Sequence, residues 1–180
     1  MALPNASEGT ADLAAGDFTT WLGMIELSIR AGAASDVPCG ECTACCTSGQ
    51  FVHIAPDEAA TLAVIPAALL FPAPGAPPGH VLLGYDEQGH CPMLVDAACS
   101  IYEQRPRTCR AYDCRVFAAT GVAPDADKPA IAAQVRRWRF AYADGEAIAT
   151  AATLRERAAV IAPGPSATQR AVRAIDDLGG

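Results

Sequence analysis

No stretch of this 180-residue chain approaches about 18 uninterrupted apolar residues, so the sequence offers no candidate membrane-spanning helix. The lead from Met1 to Asp17 lacks a basic region followed by an apolar stretch, so it does not read as a secretory leader, and the expected location is the cytoplasm. Basic residues are scarce: 13 Lys and Arg stand against 20 Asp and Glu, for a formal charge of -7. A phosphate-binding surface needs the opposite balance, which argues against nucleic acid as a partner. Arg136-Arg137-Trp138-Arg139 is the local exception, expected as a solvated helical face with Trp138 turned inward. There is no internal repeat, and histidine is limited to His53, His80 and His90. Asp57, Glu58, Asp86 and Glu87 fall at expected helix starts and turns, where capping accounts for them, so no catalytic residue is assigned and enzymatic activity is left open.

What the chain does have is cysteine, eight in all. Four are packed into Cys39-Gly-Glu-Cys42-Thr-Ala-Cys45-Cys46; the others, Cys91, Cys99, Cys109 and Cys114, follow in one later stretch. With 51% hydrophobic residues the chain can bury a real core, so disulfides are not needed to rescue a small scaffold. A reducing cytoplasm disfavours disulfides in any case, and the dense thiols point to a metal. Thiolates suit soft and borderline cations, and two-residue gaps let one short loop present several sulfurs to a common centre. On a regular helix Cys39, Cys42 and Cys46 would share a face and leave Cys45 apart; in a ferredoxin-like loop Cys39, Cys42 and Cys45 would converge and Cys46 would point elsewhere. Both arrangements send one of the adjacent pair in a different direction. The second group must then supply the remaining ligands, and metal loss should unfold much of the middle of the chain.

The residues between the cysteines are read as support. Arg105 and Arg110 are placed to donate toward thiolates and offset the charge of the centre, with a surface ion pair as the alternative. Tyr102 and Tyr112 are expected to pack over it, and Pro106 is a turn device. His90, His53 and His80 have little claim as ligands, since eight thiols require no nitrogen.

Along the chain, a polar lead and packing helix occupy residues 1–34, with the helix from about Asp17 to Arg30 carried by Trp21, Ile25, Leu27 and Ile29. A cysteine domain spans 35–120. Within it Phe51 to Ile54 reads as a strand, followed by a helix from near Pro56 to Pro66 and a Pro-rich loop from Phe71 to Gly79. His80 to Tyr85 and His90 to Val95 read as a hairpin around Asp86-Glu-Gln-Gly89, and Cys99 to Cys114 as short helical turns broken near Pro106. A helical extension over 121–180 is expected to pack on the same domain, as helices at about Ala130 to Tyr142, Gly145 to Ile161 and Ser166 to Leu178. The fold class is α+β: a small, metal-nucleated, loop-rich cysteine domain with a β-hairpin, flanked by N- and C-terminal helices.

The full pattern, Cys39-x-x-Cys42-x-x-Cys45-Cys46, then Cys91-Pro92-x-Leu94, then Cys99-x-Ile101-Tyr102-x-x-Arg105-Pro106-x-x-Cys109-Arg110-x-Tyr112-x-Cys114, closely resembles the CxxCxxCC family of YkgJ-like cysteine cluster proteins, described as zinc- or iron-chelating domains. The resemblance covers about Pro38 to Val116. It implies a metal cofactor, either zinc in two four-cysteine sites or an iron-sulfur cluster, in a structural or electron-transferring role. A similar pattern in flagellin lysine N-methylases implies a second class, an iron-sulfur enzyme or accessory protein, although no Gly-rich adenosyl-cofactor fingerprint is present here. The third class is a metal-handling or redox-sensing thiol protein. Metal ions are the only partner the sequence names; a protein partner is unknown.

Overall fold

A computed structural model of the chain describes residues 11–35, 37, 41–164 and 166–179. In chain order the elements are β1 (Leu13–Asp17), α1 (Phe18–Ala31), β2 (Val52–Ile54), α2 (Ala59–Val64), β3 (Leu70–Pro72), β4 (Val81–Leu83), β5 (Leu94–Val95), β6 (Ala98–Cys99), α3 (Arg107–Ala111), α4 (Arg115–Thr120), α5 (Pro129–Val135), β7 (Trp138–Ala141), α6 (Gly145–Val160) and α7 (Ala167–Asp176). Single 3-10 turns at Ala67–Leu69 and Tyr102–Gln104 complete the list. This is the mixed α+β class expected. The elements form two compact units: Met1–Arg30 with Asp113–Gly180, and Ala31–Tyr112.

The first unit is mainly helical. Phe18, Trp21, Ile25 and Ser28 repeat at helical spacing and form the buried stripe of α1, whereas Leu27 faces solvent. Helices α6 and α7 meet through small side chains. Ala147, Ala151, Leu154 and Ala158 line one buried face, and Ala171, Ala174 and Ile175 the other, so alanine-rich stretches give close backbone approach rather than a loose surface. Both helices are capped in the usual way, Asp144 accepting from Ala147 N–H and Ser166 from Gln169 N–H. Helix α4 stops at Gly121, which takes the left-handed conformation (φ 72°) and returns its N–H to the Phe117 carbonyl.

A buried ion pair sits in this unit. The Asp113 carboxylate lies 2.8 Å from the Arg115 guanidinium, and both side chains are at most 4% exposed. Trp21 donates its indole N–H to the same carboxylate at 2.9 Å. Arg115 donates onward to the Ala15 carbonyl at 3.0 Å, at the point where the β1 register slips between Ala14 and Gly16. The irregularity in β1 thus turns a carbonyl away from its ladder and toward a buried cation.

One expected helix is corrected here. The segment Ala130 to Tyr142 splits into α5 and then β7, which pairs in parallel with β1, Leu13 opposite Trp138. The physical reason is the period. Trp138 is buried, Arg139 exposed, Phe140 half-buried and Ala141 exposed, an alternation of two set by aromatic residues that suit a pleated strand. The Arg136–Arg139 run is accordingly a turn leading into a strand, with Trp138 inward as expected and Arg139 paired to Asp12 at 2.9 Å.

The second unit is built on a three-stranded antiparallel sheet in the order β2-β4-β3, with Leu83 opposite both Val52 and Leu70. Ile54, Ile65, Leu83, Met93 and Ile101 form its buried core. The expected hairpin between His80–Tyr85 and His90–Val95 is also corrected. Its turn exists, with Gly89 N–H donating to the Asp86 carbonyl and Asp86 N–H to the His90 carbonyl, but β4 pairs with β2 and β3 instead. Pro92 has no N–H and cannot extend a ladder past that point. The hairpin of this region is the next one, β5 with β6, turning at Asp96 and Ala97.

Candidate metal centre

Three separate stretches of the second unit bring cysteines into one neighbourhood. The first is the loop before β2. Its backbone makes a single helical turn, Thr47 N–H to the Thr43 carbonyl at 3.1 Å, secured by the Ser48 hydroxyl donating to the Ala44 carbonyl at 2.5 Å. Two backbone bonds clamp this turn to the next cysteine segment: Cys91 N–H donates to the Cys46 carbonyl and Gly49 N–H to the Gly89 carbonyl, each at 2.7 Å. Glycine is required at both ends of the second bond. Gly49 and Gly89 have φ of 57° and 80°, and a Cβ on Gly89 would stand 3.4 Å from the Gly49 nitrogen.

The second stretch is Cys91 to Cys99. Leu94 N–H donates to the Cys91 carbonyl at 2.9 Å, closing a four-residue turn with Pro92 at its second position, where the fixed proline φ is suited. The β5–β6 hairpin then sets Cys99 opposite Leu94, and both Cys91 and Cys99 pack against the core that includes Met93 and Ile101.

The third is Cys109 on α3. This five-residue helix is too short to hold itself and is fixed from outside. The buried Glu58 carboxylate accepts from Arg107 N–H at 2.5 Å with one oxygen and from Ala55 N–H at 2.9 Å with the other. The Thr108 hydroxyl donates to the His53 carbonyl on β2 at 2.7 Å, and Thr61 to the Gln104 carbonyl at 2.7 Å. An exposed pair, Arg107 with Asp57 at 2.8 Å, closes the set and holds the Asp57 carboxyl below its ordinary range. Sequence reading assigned Asp57 and Glu58 to helix capping; their partners on α3 lie far along the chain.

Electrostatics show that these cysteines share one environment. Cys109 retains contact with solvent, yet the protein crowded round its sulfur, followed by Cys91, Cys46 and Cys99, pushes its thiol up to about 12, against the opposing pull of Arg105. Burial also raises Cys91, with Cys99 adding and the Met93 N–H opposing. Burial beside neighbouring sulfurs favours the protonated form of Cys91 and Cys109, a preference that a bound cation would reverse. An all-sulfur donor set fits zinc or iron, which take thiolate. Among the described residues, no group of three or more His, Cys, Asp or Glu side chains is arranged to hold a metal ion.

The remaining candidates fall in different places. Cys42 is half-buried and Cys45 exposed, on the same loop as Cys46, while Cys39 lies outside the described residues. Cys42, Cys91, Cys99 and Cys109 are thiols rather than disulfide halves. Cys114 belongs to the other unit, where it is buried and its sulfur accepts the Trp138 indole N–H at 3.2 Å. Arg105 lies over the Tyr102 ring, 3.9 Å from its centre, and donates to the Tyr102 carbonyl at 2.7 Å. Tyr102 itself is 52% exposed, so what it touches is the arginine that faces Cys109. The Arg110 carbonyl accepts from Ser35 N–H, and Tyr112 ends α3 half-buried, its N–H on the Thr108 carbonyl. His53 and His80 pair with each other, nitrogen to nitrogen at 2.9 Å with stacked rings, across the 27 residues that separate them.

No curated protein and no solved structure matches the chain. A family model does match, over residues 38–130, and this span runs from the first cysteine loop past Cys114. It covers more than half of the sequence and takes in every cysteine discussed above, and the chain therefore belongs to the CxxCxxCC family, described as "Putative zinc- or iron-chelating domain".

Proposed function

We propose that this chain is a metal-binding protein whose cysteines hold zinc or an iron-sulfur cluster in a structural or electron-transferring centre. The observation that carries the reading is the joining of three distant cysteine stretches within one unit: Cys91 N–H is bonded to the Cys46 carbonyl, Cys91 and Cys99 pack on the same core, and the helix of Cys109 is tied to β2 through Thr108. Cys39, Cys42 and Cys45 on the first loop complete the ligand set of the second unit. When bound, the metal supplies the positive charge that lets clustered thiols ionise, and it cross-links segments that are otherwise joined by a few backbone bonds. Arg105, held against Tyr102, partly offsets the negative charge of the ligands, with Arg110 in the last turn of α3 and Tyr112 just past its end. A thiol-rich centre of this kind belongs in a reducing compartment, in accord with the cytoplasm, and the acidic chain is unsuited to nucleic acid.

Elemental analysis and optical spectroscopy of anaerobically purified protein test the proposal directly. Brown protein with a band near roughly 400 nm selects an iron-sulfur cluster; colourless protein with stoichiometric zinc selects zinc. Changing Cys46, Cys91, Cys99 or Cys109 singly to Ser lowers bound metal and melting temperature together. Full metal and unaltered melting in all four would reject the centre. Cys114→Ser separates two roles for that residue: loss of metal marks a ligand, and a change in Trp138 emission with full metal marks a core sulfur.

A further inference from the structure

A groove of about 530 Å³ opens in the helical unit, within the range of small-molecule sites. Its floor is apolar and aromatic, formed by Phe117, Val122, Trp138 and Phe140. Three arginines from three elements line it: Arg136 from the end of α5, Arg139 from β7 and Arg155 from α6. No Asp or Glu is among the described residues that line it, in a chain whose net charge is -7. This concentration of positive charge runs against the composition of the whole protein, and it is built over a water-excluding floor.

The three arginines are held differently. Arg155 is positioned by the Ala119 carbonyl at 3.2 Å and the Tyr142 hydroxyl at 3.4 Å, which leaves part of its fork to donate elsewhere. Arg139 is held in place, one guanidinium nitrogen on the Arg136 and Trp138 carbonyls at 2.8 and 3.0 Å and the other on Asp12 at 2.9 Å, and it adds charge at the rim rather than a free fork. The Arg136 side chain is exposed and makes no hydrogen bond or ion pair with any described residue.

We propose that this groove binds a small amphipathic organic anion, its carboxylate met by Arg136 and Arg155 and its apolar body laid along the half-buried Val135, Phe140 and Tyr142. Guanidinium forks match carboxylates in two-point geometry, and an aromatic floor takes a ring or a short acyl chain. The site is in a different unit from the cysteine centre and does not depend on metal.

Isothermal titration of the metal-loaded protein with octanoate, and with 1-octanol as its uncharged counterpart, tests the proposal. Octanoate is expected to bind saturably, and octanol at least about tenfold more weakly, from loss of charge-assisted hydrogen bonds. Arg136→Gln should weaken octanoate about tenfold, and Ala132→Phe, which fills the groove, should abolish binding. Arg136 has no partner among the described residues, so its variant folds and decides the matter if Ala132→Phe does not melt like the parent. Equal binding of octanol, octanoate binding untouched by Arg136→Gln, or no saturable heat at millimolar octanoate would overturn the proposal. Stronger binding of an oligoglutamate peptide than of octanoate would overturn it too, in favour of a protein partner.

Discussion

Glu58 shows how far a single residue can act from its own position. It is buried, and each carboxylate oxygen accepts one backbone N–H, from Ala55 beside it and from Arg107 on α3, 49 residues away. That second bond fixes the start of the helix that carries Cys109. Replacing Glu58 with Gln puts an NH₂ group against one of these two N–H donors and leaves a buried donor unsatisfied, which costs about 1–3 kcal/mol. The thermal melt of Glu58→Gln should fall accordingly, whereas Asp57→Asn, at an exposed pair, should melt as the parent does. The cysteines themselves were legible in sequence because their spacing is local and chemically unusual. Glu58 was not, since a carboxylate just before a helix reads as a cap whether or not a distant N–H finds it. The His53–His80 pair was hidden for the same reason.

At the scale of elements, the sequence reading succeeded where a pattern was self-contained. Helices α1, α6 and α7 fall within a residue or two of expectation because each carries its own apolar stripe and end signals. Strands β1 and β7 were missed because neither exists without the other, and the pairing joins positions at opposite ends of the chain. The β5–β6 hairpin was displaced for a related reason: its turn lacks the expected residues. Asp96 and Ala97 both adopt positive φ, 49° and 59°, as a two-residue type I′ turn demands, yet the usual choice at the second position is Gly. A β-carbon there costs roughly 1 kcal/mol, part of which Gly would give back through backbone entropy. Ala97→Gly should therefore stabilise the protein by about 0.5 kcal/mol, read as a small rise in melting temperature, and should hold Cys99 in place without altering metal stoichiometry. A fall in melting temperature would show that the turn is relieved in some other way.

At the scale of the whole molecule, the two units owe their order to different physics. The helical unit has an aromatic core, in which Phe18, Trp21 and Phe140 meet at ring distances of 4.8–5.9 Å, and the buried Asp113–Arg115 pair. The other unit has a small core of Ile54, Ile65, Leu83, Met93 and Ile101 among its described residues, with Cys91 and Cys99 packed against it. Both tryptophans, Trp21 and Trp138, belong to the helical unit, so indole emission reports on it alone. Two perturbations should then separate cleanly. Asp113→Ala leaves the buried Arg115 without its carboxylate, a loss of about 3–5 kcal/mol, and should lower the transition seen in tryptophan emission while bound metal stays complete in the cold. Chelation of the metal should act the other way, removing ordered structure seen by far-ultraviolet circular dichroism and exposing thiols to titration, with tryptophan emission unchanged at low temperature. The proposed division predicts this pairing because metal binding and folding are linked only where the ligands lie. If chelation instead shifted tryptophan emission in step with the loss of metal, the helical unit would depend on the centre, and Cys114, whose sulfur receives the Trp138 N–H, would be the residue through which that dependence should be sought.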